Sequence, residues 1–130
     1  MCERTKIRNN IALKLEKELE IQVFTEPKEV SVADFPCIFV STPQESISLS
    51  AQPDLMEREL EINIQGFISG TELGNLADKM IRGIEGTLNK FEPTLSLKQV
   101  QTDMDTHGEH SICAFLLIYE TSYEEKLWNP

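Results

Sequence analysis

The segment DMDTHGEH holds the densest group of side chains in this chain that could bind a metal ion. Its possible ligands are Asp103, Asp105, His107, Glu109 and His110. Carboxylate oxygens and imidazole nitrogens are common ligands of divalent metal ions. The same stretch is also typical of a hairpin turn, because Asp, Thr and Gly are residues that turns require. The sequence favours the turn and leaves a metal site as the alternative.

The sequence does not favour a nucleophilic site, a known catalytic motif or an acid–base pair. A nucleophilic thiol could be built from Cys113 with His110 as its base, but Cys113 lies in an apolar run, where a thiol is usually inert. The chain contains no G-x-S-x-G, no glycine-rich phosphate loop and no HExxH. The carboxylates are too scattered to single out an acid–base pair. We therefore expect a protein that is not an enzyme and that has no cofactor.

A row of glutamates in the segment MERELEINIQGFISG is the most unusual charge pattern. The segment alternates with period two, which predicts a half-buried strand with Leu60, Ile62 and Ile64 on one side and Glu57, Glu59 and Glu61 on the other. Like charges that share a sheet face repel one another. The row is either a solvated face that prevents unwanted strand pairing or a wall that repels polyanions.

Overall charge narrows the classes of partner. The 130 residues carry a formal net charge of −10, which argues against duplex nucleic acid as an attractive ligand and against anionic membrane surfaces. No apolar run has the length of a membrane span, and the charged N-terminal segment predicts no secretion signal. Three scattered cysteines, Cys2, Cys37 and Cys113, indicate reduced thiols in a cytosolic setting.

Two amphipathic helices are predicted. The first spans about residues 5–20, with an apolar stripe through Ile7, Ile11 and Leu15 and with Leu13 on the opposite, charged side. The second follows the acidic strand, within SGTELGNLADKMIRGIEGTLNKF, and Thr71 is its expected N-cap. Both helices need a sheet against which their apolar sides can be buried.

The strands are predicted between and after these helices. The segments IQVFTEP, DFPCIFVST and ESISLS precede the acidic strand, and TLSLKQVQTDM and EHSICAFLLIYETSY form a closing hairpin. The last strand is apolar on both faces, which predicts that both faces are covered. Because two helices can cover only one face, we expect another copy of the chain to contribute to the second cover.

The order of these elements predicts an α+β fold in two layers. A mixed, mostly antiparallel sheet of about four to six strands packs against the two helices, since strands and helices do not strictly alternate. The chain length predicts a single domain, residues 1–123, followed by a C-terminal tail, residues 124–130, with Trp128 as its one aromatic residue.

Four segments, taken in order, resemble the tail terminator family of long-tailed bacteriophages, also called minor tail protein U. They are ADFPCIFVS, ERELEINIQGFI, SGTELGNLADKM and SICAFLLIYET, and the resemblance covers about residues 5–121. DFPCIFV and S…ELGNLAD are the nearest local matches. The tail EEKLWNP extends beyond the resemblance.

The resemblance implies a structural protein of the virion tail, made in the cytoplasm of the bacterial host. Such proteins assemble into a six-membered ring on the head-proximal end of the tail tube, stop its polymerisation and provide the surface for the head-neck protein. DNA passes through the lumen of the ring. On this basis we expect Glu57, Glu59 and Glu61 to face the lumen or a ring edge. Further expected contact residues are Gln44, Ser46, Gln52, Asp54 and Trp128.

Two other readings remain open from the residues alone. One is a small metal-dependent enzyme that uses the 103–110 cluster. The other is an acidic intracellular module that binds a basic protein with strong salt dependence. Bound metal would favour the first, and a monomeric or dimeric state with salt-sensitive capture would favour the second.

Overall fold

The computed structural model describes residues 2–49, 54–107 and 110–126. These residues form two helices and one five-stranded sheet, which confirms the α+β, two-layer prediction. The elements are α1 (Glu3–Leu19), β1 (Gln22–Phe24), a 3-10 turn (Val32–Asp34), β2 (Cys37–Leu49), β3 (Leu55–Ser69), α2 (Leu73–Leu88), β4 (Ser96–His107) and β5 (His110–Lys126).

Helix α1 is fixed by its apolar stripe. Ile7, Ile11 and Leu15 recur every four residues, so they share one side of the helix and are buried there. The helix ends where Glu20 adopts a left-handed backbone, with φ of 55°, and donates its N–H to Glu16. Leu13 lies away from the stripe and is 64% exposed, as the sequence predicted.

Helix α2 buries a similar stripe but begins differently from the prediction. Thr71 is not its N-cap. The helix begins at Leu73 after Glu72, which has a left-handed backbone and makes no side-chain capping bond. Leu76 has the spacing of the apolar stripe, three residues after Leu73, but is 42% exposed.

The sheet has the strand order β1-β2-β3-β5-β4. β1 pairs with β2 in parallel, and the three other pairs are antiparallel. Pro43 falls at a register shift between Ser41 and Gln44, so β2 passes it as one bulged strand instead of two separate ones. β4 and β5 form the predicted closing hairpin, with His107 opposite His110 in the ladder.

The core lies between the helices and one face of the sheet. Alternate residues of β3 and β5 point into it, among them Ile62, Ile64 and Leu117. Gly66 faces Phe115 across the ladder, and a Cβ at position 66 would lie 2.1 Å from the Phe115 ring. The aromatic ring therefore occupies the space that the glycine leaves.

The C-terminal end departs from the prediction of a tail. Strand β5 continues through Lys126 and pairs with β3 along that length, so Glu124 and Glu125 belong to the sheet. Trp128 and the rest of the predicted tail lie outside the described residues. Neither described helix combines the length and the apolar character that crossing a membrane would require.

Candidate functional site: the open face of the sheet

The sheet has a second face, turned away from α1 and α2, which we call the open face. It carries the residues of β3 and β5 that alternate with the core residues, because successive side chains of a strand point to opposite sides. The two ends of this face differ in chemistry. One end is acidic and the other is apolar.

The acidic end contains three of the predicted residues and two further glutamates. We call this group the acidic rows; it consists of Glu57, Glu59, Glu61, Glu120 and Glu124. Glu57 stands directly opposite Glu124, and Glu61 directly opposite Glu120. Side chains that face each other across antiparallel strands have Cβ atoms roughly 5 Å apart, so each pair sets like charges against one another. Lys98 relieves this only in part, with its Nζ atom 3.7 Å from Glu120 in an exposed ion pair.

Several residues that the sequence singled out meet at this end. Gln44 and Ser46 of β2 stand opposite Glu61 and Glu59. Together with Glu120 these four residues line a shallow cavity of about 200 Å³. Asp54 is exposed at the turn before β3, with φ of 69°. Gln52 lies outside the described residues.

Sequence reasoning missed Glu120 and Glu124 as parts of this surface. The signal was present, since Glu120, Ser122 and Glu124 continue the period-two alternation of the last strand with polar residues. The register that places them against Glu57 and Glu61 could not be read from one strand alone.

The apolar end of the open face carries half-buried side chains. We call these residues the apolar patch: Phe39, Phe67, Ala114, Leu116 and Ile118. Its β5 members, Ala114, Leu116 and Ile118, form the second apolar side of the last strand, which the sequence predicted to be covered. No helix of the described chain packs on them.

One corner of the open face is covered by the loop between β1 and β2. Phe35, from this loop, stacks on Phe67 with ring centroids 5.6 Å apart. Lys28 places its Nζ atom 4.7 Å from the centre of the Phe24 ring. Cys37 is fully buried under this cover, and burial raises the pKa of its thiol.

Asn63 stands between the two ends of the open face. It pairs with Ser41 on one side and Ile118 on the other. Its Oδ1 atom is buried and makes no hydrogen bond within the described residues. An unpaired polar atom in such a place costs about 1–3 kcal/mol, so this position favours an additional polar group beyond those of the described residues.

A separate ionic network lies on the other side of the same strand ends. Glu45, with a side chain only 10% exposed, lies 3.3 Å from Arg58 and 3.7 Å from Arg4. Arg58 Nε is also 2.9 Å from Glu125, although without hydrogen-bond geometry. Tyr123 donates a hydrogen bond to Glu45, and burial together with this contact raises the pKa of the Tyr123 hydroxyl. The network joins α1 to the ends of three strands.

The predicted metal-ligating residues are only partly brought together. Asp103 and Asp105 lie on the open face of β4, opposite Ala114 and Ile112. The side chains of His107 and His110, and the whole of Glu109, lie outside the described part. Within the described residues, no three His, Cys, Asp or Glu side chains form a group that could hold a metal ion.

Cys113 does not have the surroundings of a nucleophile. Its side chain is fully buried, and its thiol contacts the Ala114 carbonyl oxygen at 3.8 Å. Burial is the largest cause that raises the pKa of this thiol. The thiolate is therefore disfavoured, and the residue belongs to the apolar contacts between β5 and α2.

No protein-family model matches the chain, and no curated protein matches it at a significant level.

Proposed function

We propose that this protein is a ring-forming tail terminator of a bacteriophage or prophage. It caps the head-proximal end of the tail tube, stops tube polymerisation and offers the surface to which the head-neck protein binds. The ordered resemblance of four segments to that family supports the class. The observation on this chain that carries the proposal furthest is the acidic rows, which keep glutamates opposite glutamates on an exposed sheet face.

The acidic rows support a role as the wall of a DNA passage. Repeated six times around an axis, they would present a surface on which carboxylates outnumber cations such as Lys98, so that phosphates would be repelled and would release few counterions. DNA would then slide without adhering. Repulsion between paired glutamates lowers the stability of the sheet. A surface that must repel a polyanion accounts for keeping these pairs in spite of that cost.

The triple variant Glu57→Lys/Glu59→Lys/Glu61→Lys tests this role. Because these side chains lie on the open face, the variant is expected to assemble normally and to slow DNA ejection. The matched control is Gln99→Lys/Gln101→Lys, which adds cations on the open face of β4. Normal ejection by the triple variant would exclude the lumen role.

Ring formation is tested by imaging. Negative-stain micrographs of the protein with purified tail tubes, together with the particle mass from light scattering, are expected to show a six-membered ring at one tube end. A protein that stays monomeric and unbound in the presence of tubes would contradict the proposal.

The acidic rows also fit a second function, an intracellular module that binds a basic protein. Such a module would remain monomeric or dimeric, and its complex would weaken steeply between low and high salt. Rings on tube ends would exclude this alternative.

A further inference from the structure

The two helices do not extend over β4, which is an edge strand of the sheet. Helix α1 packs on β1 and β2, and α2 packs on β3 and β5. On the helix side, β4 presents Leu97, Val100 and Met104, which are 36%, 43% and 54% exposed. We call these three residues the β4 strip. Their partners in the ladder, Tyr119, Leu117 and Cys113, are buried, so the apolar cover ends between β5 and β4.

Carboxylates of α2 border the β4 strip. Gly74 of α2 faces β4, since a Cβ at this position would lie 3.9 Å from Met104 Cε. Asp78 and Glu85 follow at four and eleven residues and therefore lie on the same side of the helix. Their charges help to raise the pKa of Cys113 and of Tyr119 on β5. Neither makes an ion pair within the described part of the chain. Arg82 lies between these two carboxylates on the same side of the helix and is exposed. The strip is thus apolar, and its border carries two carboxylates and one cation.

The exposed side of α1 has the complementary chemistry. Lys6, Leu13 and Lys17 are exposed and lie away from the buried stripe of the helix. We call them the α1 ridge. Leu13 is the most exposed of the large apolar residues in the described chain, at 64%. Glu16, exposed and three residues after Leu13, borders the ridge. The ridge therefore offers two cations and one carboxylate around an apolar residue.

The dimensions of the two surfaces also agree. The 17 residues of α1 give a helix about 25 Å long. Residues Leu97 to Met104 span roughly 23 Å of strand. A helix laid along β4 would therefore cover the whole strip.

The two surfaces lie at opposite edges of one molecule. β1 and β4 are the outer strands of the sheet, and Leu13 lines a shallow cavity together with Val23 and Thr25 at the β1 edge. One copy cannot bring its own ridge to its own strip. Contacts between two different surfaces run head-to-tail and close into a ring when the rotation permits.

We propose that the α1 ridge of one copy docks on the β4 strip of the next copy and completes its helix layer. This inference rests on the proposed ring and names the contact that closes it. Leu13 packs against Val100 and Met104, while Lys6 and Lys17 pair with Asp78 and Glu85.

Site-specific cross-linking tests the contact directly. In a Cys2→Ser background, which leaves only the buried Cys37 and Cys113, Leu13→Cys and Met104→Cys proteins are prepared separately. A short bis-maleimide is expected to link them into dimers when mixed and to link neither protein with itself. A protein with both substitutions should give a ladder that ends at the ring. The control pair is Leu13→Cys with Gln101→Cys, which lies on the other face of β4 and should not react.

Charge reversal provides a second readout. Lys17→Glu is expected to lower the yield of the Leu13–Met104 cross-link by roughly two- to fivefold, and Asp78→Lys on the neighbouring copy to restore it. An absent cross-link in the mixed proteins would overturn the inference, as would self-linking of Leu13→Cys.

A Leu13→Glu protein that still forms rings by light scattering would overturn this contact and leave the proposed function standing. The lengths of tails made without the protein test the function independently of the contact.

Discussion

Gly66 shows how one residue sets the packing of the central strands. Phe115 lies over it, and an added Cβ would be only 2.1 Å from the ring. We expect Gly66→Ala to lower the free energy of unfolding by about 1–3 kcal/mol, because the core must shift to accept the methyl group. Denaturant unfolding followed by circular dichroism measures this.

The same substitution at Gly86 is the matched control. Apart from its chain neighbours and the backbone of its own helix, no atom of the described residues lies within 4 Å of the position that its Cβ would take. Alanine is favoured over glycine in a helix interior by up to about 1 kcal/mol. Gly86→Ala should therefore leave stability unchanged or raise it. Equal losses from both variants would contradict this account of the packing.

Tyr119 makes the free energy of unfolding depend on pH in the alkaline range. Burial, with a smaller contribution from Glu85, raises the pKa of its hydroxyl from 10 to about 12. The unfolded chain therefore releases this proton before the folded chain does. Stability should be complete below pH 10 and should fall as the pH rises from 10 towards 12.

Unfolding free energies measured across this range test the assignment. Tyr119→Phe should flatten the slope, although Tyr123, whose pKa is also raised, will leave a residual dependence. An unchanged slope in Tyr119→Phe would show that other groups control the alkaline transition.

At the level of elements, the pairing of β3 with β5 sets glutamates of the acidic rows opposite one another, and this repulsion lowers the free energy of unfolding. Glu57→Lys and Glu61→Lys each replace a like-charge pair with an opposite-charge pair, since Glu124 and Glu120 stand directly across. Each single variant should raise the free energy of unfolding by about 0.2–1 kcal/mol. Thermal unfolding at low ionic strength measures the change.

Glu59→Lys is the internal control, because Ser122 stands opposite it and only diagonal glutamates are near. Its effect should be smaller, and added salt should reduce all three gains. A loss of stability in Glu57→Lys and Glu61→Lys would contradict the strand register.

The ionic network holds α1 to the ends of β2, β3 and β5. Removing the carboxylate in Glu45→Ala leaves Arg58 without its nearly buried partner and Tyr123 without its acceptor. We expect a loss of roughly 3 kcal/mol, in the range for breaking a buried pair. Glu125→Ala, which removes a single and more exposed ion pair, should cost clearly less. Similar losses from the two variants would argue against Glu45 as the centre of the network.

At the scale of the whole molecule, periodicity alone predicted the two helices, the acidic strand and the closing hairpin. It could do so because the apolar stripe of Ile7, Ile11 and Leu15 and the alternation from Glu57 to Ile64 are local signals. The α+β layering followed from their order.

What the sequence did not predict depends on contacts between distant segments. The position of Glu120 and Glu124 beside the glutamates of β3 follows from strand register, and the extension of β5 through Lys126 follows from its pairing with Leu55. Glu45 could not be recognised as a network centre, because Arg4, Arg58 and Tyr123 approach it from three separate elements.

The length of tails assembled without this protein tests the central claim most directly. Particles from a phage or prophage lacking the gene are measured by electron microscopy beside particles in which the gene is supplied in trans. A tail terminator predicts overlong tubes of variable length without heads attached, and a return to one uniform length on complementation. Tails of normal, uniform length joined to heads in the absence of the protein would contradict the account.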